Sequence, residues 1–243
     1  MQTISKEEYD KIFMQPGGES IVRYFDETLS PLFGSEFGFK KAEKGHIWYG
    51  CWNNDCRPVI YLYAAKGIFY YLRWGYNFSF IPEFNRQEKF VWHRTDKAIK
   101  AHIYDEFDSY IDTDSFYEGF HNSLLDHCYI LSEFALISYA NETERALEQI
   151  TLSAKRNIPF MKEWFERVRT KEDVLIELDK QIPKASSLTV HNQYWAKAFL
   201  LAYLARQAEA EEALSLYYRG REPHPKVLEK LKATSAAYTP CRE

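Results

Sequence analysis

Two strand patterns joined by a compact turn are the strongest constraint on how this chain folds. Residues 58–65 and 67–74 are rich in Val, Ile, Leu, Tyr and Trp, and Ala65-Lys66-Gly67 lies between them. Such a pair predicts a β-hairpin. Alternation along a strand places Ile60 and Leu62 on one face and Tyr61 and Tyr63 on the other. Both faces are therefore apolar, and we expect both to be covered.

The segments around the hairpin predict an α+β fold with a small antiparallel sheet. Further strands are expected at 39–43, 46–52 and 102–107, and helical spacing of apolar residues predicts a helix over 19–33. Gly34 and Gly38 are candidate stopping points for that helix. The sheet and the N-terminal helices are assigned to a domain at 1–113.

Helical spacing dominates from about Asp114, which predicts an all-helical region at 114–243 packed on the sheet domain. Its first stripe consists of Leu124, Leu125, Cys128, Leu131, Ala135, Leu136 and Tyr139. Asn157-Ile158-Pro159 is expected to restart the chain at a helix N-terminus, and Thr170 to cap the next helix. The last region predicts a helical hairpin formed by 190–206 and 209–219, with Gly220 as its C-cap.

The net charge, the lack of long apolar runs and the number of cysteines disfavour several classes of protein. The 31 Lys and Arg against 35 Asp and Glu give a net charge of −4, whereas a generic nucleic-acid-binding protein carries a basic excess. The N-terminal residues are polar, and no apolar run approaches the roughly 18 residues of a membrane span. Four cysteines in 243 residues are too sparse for a disulfide-stapled secreted domain. We expect a cytoplasmic protein with neither a nucleic-acid partner nor a membrane segment.

An acidic run is the first candidate binding surface. Its carboxylates occur without an intervening Lys or Arg, and they are Asp105, Glu106, Asp108, Asp112, Asp114 and Glu118. Acids near a helix N-terminus are favoured by the helix dipole. The same residues would also suit a divalent cation or a basic protein partner. The calcium-loop pattern fails, because its glycine and terminal glutamate are missing.

Tyrosines on the hairpin are the second candidate surface. Tyr61 and Tyr63 share a face, and tyrosine is enriched at protein interfaces. An RNA platform would combine such rings with basic residues, but only Arg57, Lys66 and Arg73 are close in sequence. Tyr61 and Tyr63 therefore join the candidate binding residues for a protein partner.

Metal and catalytic patterns are weak. Cys51 and Cys56, with His121, His127 and Cys128 downstream, do not match a standard zinc spacing. The chain has no G-x-S-x-G elbow, dinucleotide fingerprint or P-loop. We therefore predict no cofactor, no metal ligand and no catalytic residue.

The order of features over about residues 19–180 resembles a bacterial family, domain of unknown function 4304. An amphipathic helix with a late proline, Pro31, leads into Gly38-Phe39-Lys40-Lys41 and then into a strand around Trp48. The Val59–Tyr63 strand and a strand ending at Trp74-Gly75 follow, and Asn157-Ile158-Pro159-Phe160 with Trp164 comes after the sheet. The resemblance implies the fold, and it supplies no activity or site residues.

These patterns favour a non-enzymatic protein-binding protein. One form is an immunity-type protein that neutralises a basic toxin with its acidic run. The alternative is a hydrolase-like enzyme with a site between the sheet and the helical region, where His102, Asp105 and His121 are the first suspects.

Overall fold

The computed structural model describes residues 2–5, 22–65, 69–105, 128–131, 136–137, 143–184 and 187–236. The helices are α1 Val22–Phe37, α2 Thr143–Arg167, α3 Lys171–Gln181, α4 Ser187–Tyr203, α5 Gln207–Tyr217 and α6 Pro225–Ala236. The strands are β1 Gln2–Ser5, β2 Lys40–Lys41, β3 Ile47–Tyr49, β4 Cys56–Ala65, β5 Phe69–Phe78, β6 Glu83–Phe84, β7 Phe90–Val91, β8 Ile103–Asp105, β9 Cys128–Leu131 and β10 Leu136–Ile137. The predicted α+β class is confirmed.

The main sheet is antiparallel and follows the order β10-β5-β4-β3-β2, with β8 also paired to β5. The register places Ile47 opposite Tyr61 and Lys40 opposite Tyr49. β4 and β5 are neighbours, as the hairpin pattern predicts. Val59 and Ile60, which point to opposite faces of β4, are both fully buried. Both faces of this strand are therefore covered, as expected.

A tight turn explains why β4 begins before the predicted Pro58. Asn53 and Cys56 exchange backbone hydrogen bonds of 2.7 and 3.0 Å. Asn54 and Asp55 between them have positive φ angles of 44° and 65°, the conformation of a two-residue hairpin turn that Asn and Asp tolerate. The strand accordingly starts at Cys56.

The predicted helical stripe over 124–139 is wrong where the structure describes it. Cys128–Leu131 is β9, which pairs with β1 so that Ser5 lies opposite Cys128. Leu136–Ile137 is β10, which pairs with β5. Short apolar runs fit helix and strand alike, and here the hydrogen bonds offered by β1 and β5 decide the outcome.

The predicted break at Pro159 is also wrong, because α2 continues through it. Proline removes one helical N–H, which leaves the carbonyl four residues earlier without its usual donor. That carbonyl belongs to Lys155, which is exposed, as is Pro159. Water can therefore hydrate that carbonyl, and the helix tolerates the proline.

The chain divides into two compact units, and each is described by itself. Unit 1 comprises Met1–Cys51, Val59–Trp74 and Asp105–Glu163, and unit 2 comprises Trp52–Pro58, Gly75–Tyr104 and Trp164–Glu243. The domain boundary predicted at 113/114 lies outside the described residues. Among those residues, the helices lack the length and apolar run that a membrane crossing requires.

The core of unit 1 forms where α1 packs against the sheet. Trp48 of β3 is fully buried, and its ring meets Phe33 of α1 edge-on with centroids 5.0 Å apart. Its indole N–H donates to Ser30 Oγ at 2.9 Å. Leu29 and Phe33 are both fully buried on the same helix. One tryptophan thus joins helix and sheet by packing and by a hydrogen bond.

The helical part of the unit 2 core confirms the predicted C-terminal helical hairpin. Ala196, Ala198 and Ala202 of α4 and Ala210 and Ala213 of α5 are buried. Their small side chains allow the two helices to approach closely. Gly220 follows α5 with a φ of 73°, as expected for a glycine after a helix.

A buried arginine ties together the loop segments of unit 2. Arg57 is 1% exposed, and it donates from Nε to Asn77 Oδ1 at 3.0 Å and from a terminal nitrogen to Thr95 O at 3.2 Å. Its other terminal nitrogen lies 3.1 Å from the Asp96 carboxylate. The guanidinium also lies over the Trp52 ring at 4.5 Å. Arg57 therefore bonds to polar groups from two segments, β5 and the loop at Thr95 and Asp96, and its guanidinium packs on a ring from a third.

Two polar interactions involve the α3 helix, a capping box at its N-terminus and a buried ion pair at Glu177. Thr170 and Asp173 form a capping box, which confirms the predicted cap. Glu177 is buried and pairs with Arg167 and with Lys180, the latter at 2.8 Å. Burial alone would raise the pKa of Glu177, but the hydrogen bonds from Lys180 and Arg167 outweigh it and the pKa is lowered.

We expect Glu177 to contribute to the loss of stability in acid. A carboxyl whose pKa is lowered in the folded state stabilises the fold above its unfolded pKa of about 4.3, and this contribution disappears as the pH falls through the folded pKa. Glu177→Gln should therefore be less stable than the native protein at pH 7 and should lose less stability between pH 5 and 3, measured by urea unfolding. Glu166→Gln, at an exposed position of α2, is the control. Parallel pH profiles for the Glu177→Gln variant and the native protein would contradict this role.

Candidate functional site

Most of the sequence-predicted binding residues lie outside what the structure describes. This holds for Glu106, Asp108, Asp112 and Asp114. Asp105 is the last residue of β8, and Tyr63 belongs to β4, but their side chains are likewise outside the description. Tyr61 is described and is half-buried opposite Ile47. The acidic run and the tyrosine face stay predictions.

Both cysteines of the pair considered as half of a metal site, Cys51 and Cys56, lie in the described part of the chain. Cys51 is exposed and Cys56 is half-buried, and burial raises the pKa of the Cys56 thiol. Within the described part of the chain, no three His, Cys, Asp or Glu side chains are grouped so that they could hold a metal ion. His121 and His127 lie outside it.

A cleft inside unit 2 brings polar and aromatic side chains together. It has a volume of about 140 Å³ and is called the His102 cleft below. The β6 strand and the residues before β8 supply one side, and α4 with the end of α5 supplies the other. Its lining residues are Pro82, Glu83, Phe84, Lys100, Ala101, His102, Ile103, Asn192, Gln193, Trp195, Ala196 and Tyr217.

The pairing of β8 with β5 fixes the protonation of His102. Its backbone N–H donates to Tyr76 O at 2.8 Å, and its Nδ1 accepts from the backbone N–H of Phe78 at 2.9 Å. Because Nδ1 is an acceptor, the proton of the neutral ring sits on Nε2. Burial lowers the pKa of His102 well below its usual value, and the charges of Lys100 and His93 lower it further. His102 is therefore a neutral hydrogen-bond donor.

The Nε2 atom of His102 is inaccessible to solvent, and no described residue forms a hydrogen bond with it. Since Nδ1 faces β5, Nε2 lies on the far edge of the ring from that strand. A buried donor in this state costs about 1–3 kcal/mol. A buried donor is normally satisfied by a protein group, an ordered water molecule or a ligand.

Gln193 supplies a second polar atom of the same kind. It lies on α4, is 6% exposed, and donates from Nε2 to Gln181 Oε1 at 3.2 Å. Its Oε1 is buried and has no partner among the residues the structure describes. Exchanging O and N in both amides would preserve the bond between them and still leave one end of Gln193 without a described partner.

The charged groups of the cleft are paired. The Glu83 carboxylate lies 3.0 Å from Lys100 Nζ and 3.0 Å from His93 Nε2. The hydrogen bond from Lys100 is the main reason that the pKa of Glu83 is lowered, and the bond from His93 adds to it. Glu83 is therefore an ionised acceptor that is already engaged.

Aromatic rings form the apolar part of the cleft. Trp195 donates its indole N–H to Pro82 O at 2.6 Å, which fixes the ring against the β6 side. Tyr217 packs against it with ring centroids 4.9 Å apart. Rigid rings beside a few polar atoms are typical of small-ligand sites.

Sequence reasoning reached part of this site. His102 was among the residues suspected for the hydrolase alternative, whereas Glu83, Gln193 and Trp195 were missed. One signal was present for Gln193, since it shares a helical face with Ala196 and Leu200. A polar side chain on an apolar face requires an explanation, and here it lines a cleft.

No family model matches the chain, and neither the curated proteins nor the solved structures include a significant match. The resemblance to domain of unknown function 4304 therefore stays a prediction.

Proposed function

We propose that this protein is a non-enzymatic binding protein and that its His102 cleft holds a small polar ligand. The observation that carries the proposal is that His102 and Gln193, which both line this cleft, each have one buried polar atom without a described partner, Nε2 and Oε1 respectively. A ligand that bonds to both would recover the free energy lost by leaving them unpaired.

The protonation states in the cleft favour binding over acid–base catalysis. A general base needs a pKa near the working pH and an available lone pair. The Nε2 of His102 carries the proton, Nδ1 is occupied by a backbone N–H, and Glu83 is ionised and already bonded to Lys100 and His93. This is why we place the hydrolase alternative second.

We expect Gln193→Leu to weaken ligand binding selectively. Leucine keeps a buried side chain of similar length but removes the polar atom, so compounds that bind the native protein in a ligand-observed NMR screen should bind at least about tenfold more weakly, the effect of one lost hydrogen bond. Gln207→Leu is the matched control, because Gln207 Oε1 is also buried without a described partner but does not line the cleft. Unchanged affinities in Gln193→Leu would contradict the proposed site.

We also propose that the acidic run binds a basic protein, with an immunity-type role towards a toxin as its specific form. The support is the sequence itself, in which six carboxylates occur in residues 105–118 without a Lys or Arg. A surface of one charge steers an oppositely charged partner and opposes partners of like charge.

We expect charge reversal of the acidic run to abolish that binding. The tagged native protein and an Asp105/Asp108/Asp112→Lys variant would be compared in pull-downs from native lysate. The control is a Glu166/Glu211/Glu212→Lys variant, which makes the same charge change at exposed helical positions. The proposal requires a basic protein retained by the native chain and the control and lost by the first variant. A partner that all three retain would contradict it.

A further inference from the structure

We infer that the ligand of the His102 cleft is a neutral molecule, about the size of one six-membered ring, that carries both a hydrogen-bond acceptor and a donor, as a cyclic amide does. The inference rests on the proposed binding function and names the chemical class of the ligand.

The charge of the ligand follows from the groups that are still available. Among the described lining residues, the ionised pair is Glu83 and Lys100, whose charged atoms lie 3.0 Å apart. The polar atoms without described partners belong to a neutral imidazole and a neutral carboxamide. A charged ligand would lose its hydration and find no uncompensated charge to replace it. A neutral polar ligand loses less hydration free energy when it enters the cleft.

The size of the ligand follows from the volume and the walls. A cleft of about 140 Å³ compares with the cavity of about 150 Å³ that accommodates one benzene molecule. Phe84, Trp195 and Tyr217 supply flat apolar surface beside the polar atoms. These walls offer apolar contact to a ring, and the volume limits the ligand to about one ring.

The polar pattern of the ligand follows from the two protein groups. His102 Nε2–H donates, so the ligand must offer an acceptor such as a carbonyl oxygen. Gln193 Oε1 accepts, so the ligand must also offer an N–H or O–H. A cyclic amide carries both groups, and its carbonyl would also accept from the carboxamide of Gln193 in its exchanged orientation.

Entry into the cleft requires movement at its opening. Both polar atoms are inaccessible to solvent, so a ligand reaches them only if side chains that line the cleft change rotamer. Asn192 is exposed, and the side chains of Glu83 and Lys100 are 46% and 39% exposed. Exposed side chains change rotamer within nanoseconds, and opening of this kind leaves the backbone in place.

The test is a calorimetric and NMR titration of the full chain with matched six-membered rings. The probes are 2-piperidone, which is a neutral cyclic amide, the cyclohexanecarboxylate anion, the piperidinium cation and benzene. We expect 2-piperidone to bind saturably and at least about tenfold more tightly than the other three. Its affinity should fall at least about tenfold in Gln193→Leu and stay within about twofold in Gln207→Leu, with thermal unfolding confirming that both variants are folded.

The outcomes separate the ligand class from the site. If an ionised ring binds more tightly than 2-piperidone and still depends on Gln193, the inferred class is overturned and the proposed site stands. If no probe binds saturably, and a wider panel of small polar compounds also fails, both are overturned. Benzene binding as tightly as 2-piperidone, without dependence on Gln193, would show an apolar cleft and also overturn both.

Discussion

Trp48→Ala is expected to lower the free energy of unfolding by about 4 kcal/mol, the typical cost of removing a large buried ring. The ring is fully buried between α1 and the sheet, where it contacts Phe33 and donates to Ser30. Alanine would leave a cavity, because α1 and the sheet can close only part of the space that the indole ring fills. Urea unfolding followed by circular dichroism measures the change.

Two variants make this expectation specific. Trp48→Phe keeps a ring against Phe33 but loses the donor to Ser30, so it should cost about 1–2 kcal/mol. Trp52→Ala removes a ring that is 39% exposed and should have a smaller effect than Trp48→Ala. A loss below about 1 kcal/mol from Trp48→Ala would show that the contact between α1 and the sheet is not a principal source of stability in unit 1.

Arg57→Ala is expected to lower the free energy of unfolding by about 3 kcal/mol. The substitution removes hydrogen bonds to Asn77 and Thr95 and leaves the fully buried Asn77 Oδ1 without this donor. An unsatisfied buried acceptor costs about 1–3 kcal/mol, and the lost packing of the arginine stem adds to it. Thermal and urea unfolding would both record the loss.

The partners of Arg57 separate hydrogen bonding from charge. Asp96 is 59% exposed, so Asp96→Ala should cost less than about 1 kcal/mol. Arg57→Lys keeps the charge but cannot reproduce the fork of donors, so it should remain clearly destabilising. If Asp96→Ala lowered the free energy of unfolding as much as Arg57→Ala, the ion pair, and not the hydrogen bonds to Asn77 and Thr95, would account for most of the stability that Arg57 contributes.

The sequence predicted best those elements whose signal is local. The neighbouring strands β4 and β5, the Thr170 cap and the Gly220 terminus depend on alternation, a capping side chain and a glycine, all visible within a few residues. β9 and β10 were mistaken for helix, because their identity depends on pairing with β1 and β5, far away in sequence. Long-range hydrogen bonding of this kind has no local signature.

The candidate site shows the same limit. The residue type alone makes His102 a candidate, because histidine can donate, accept or carry a proton. Its protonation, however, depends on the backbone N–H of Phe78, which only the folded sheet supplies. Gln193 becomes significant because α4 places it in the cleft that His102 also lines. The residues of that cleft range from Pro82 to Tyr217, so no short pattern in the sequence could have joined them.

The most direct test of the central claim, that the His102 cleft binds a polar ligand through a fixed neutral histidine, is long-range ¹H–¹⁵N NMR of the His102 imidazole. Spectra would be recorded from pH 8 to 5, with and without 2-piperidone or the best compound from the screen. We expect the Nε2–H tautomer throughout this range, because burial lowers the pKa of His102, and a saturable shift of the Nε2 resonance on adding ligand. A His102 that titrates near 6.5 like an exposed histidine, or an Nε2 resonance unchanged by every compound that binds, would contradict the claim.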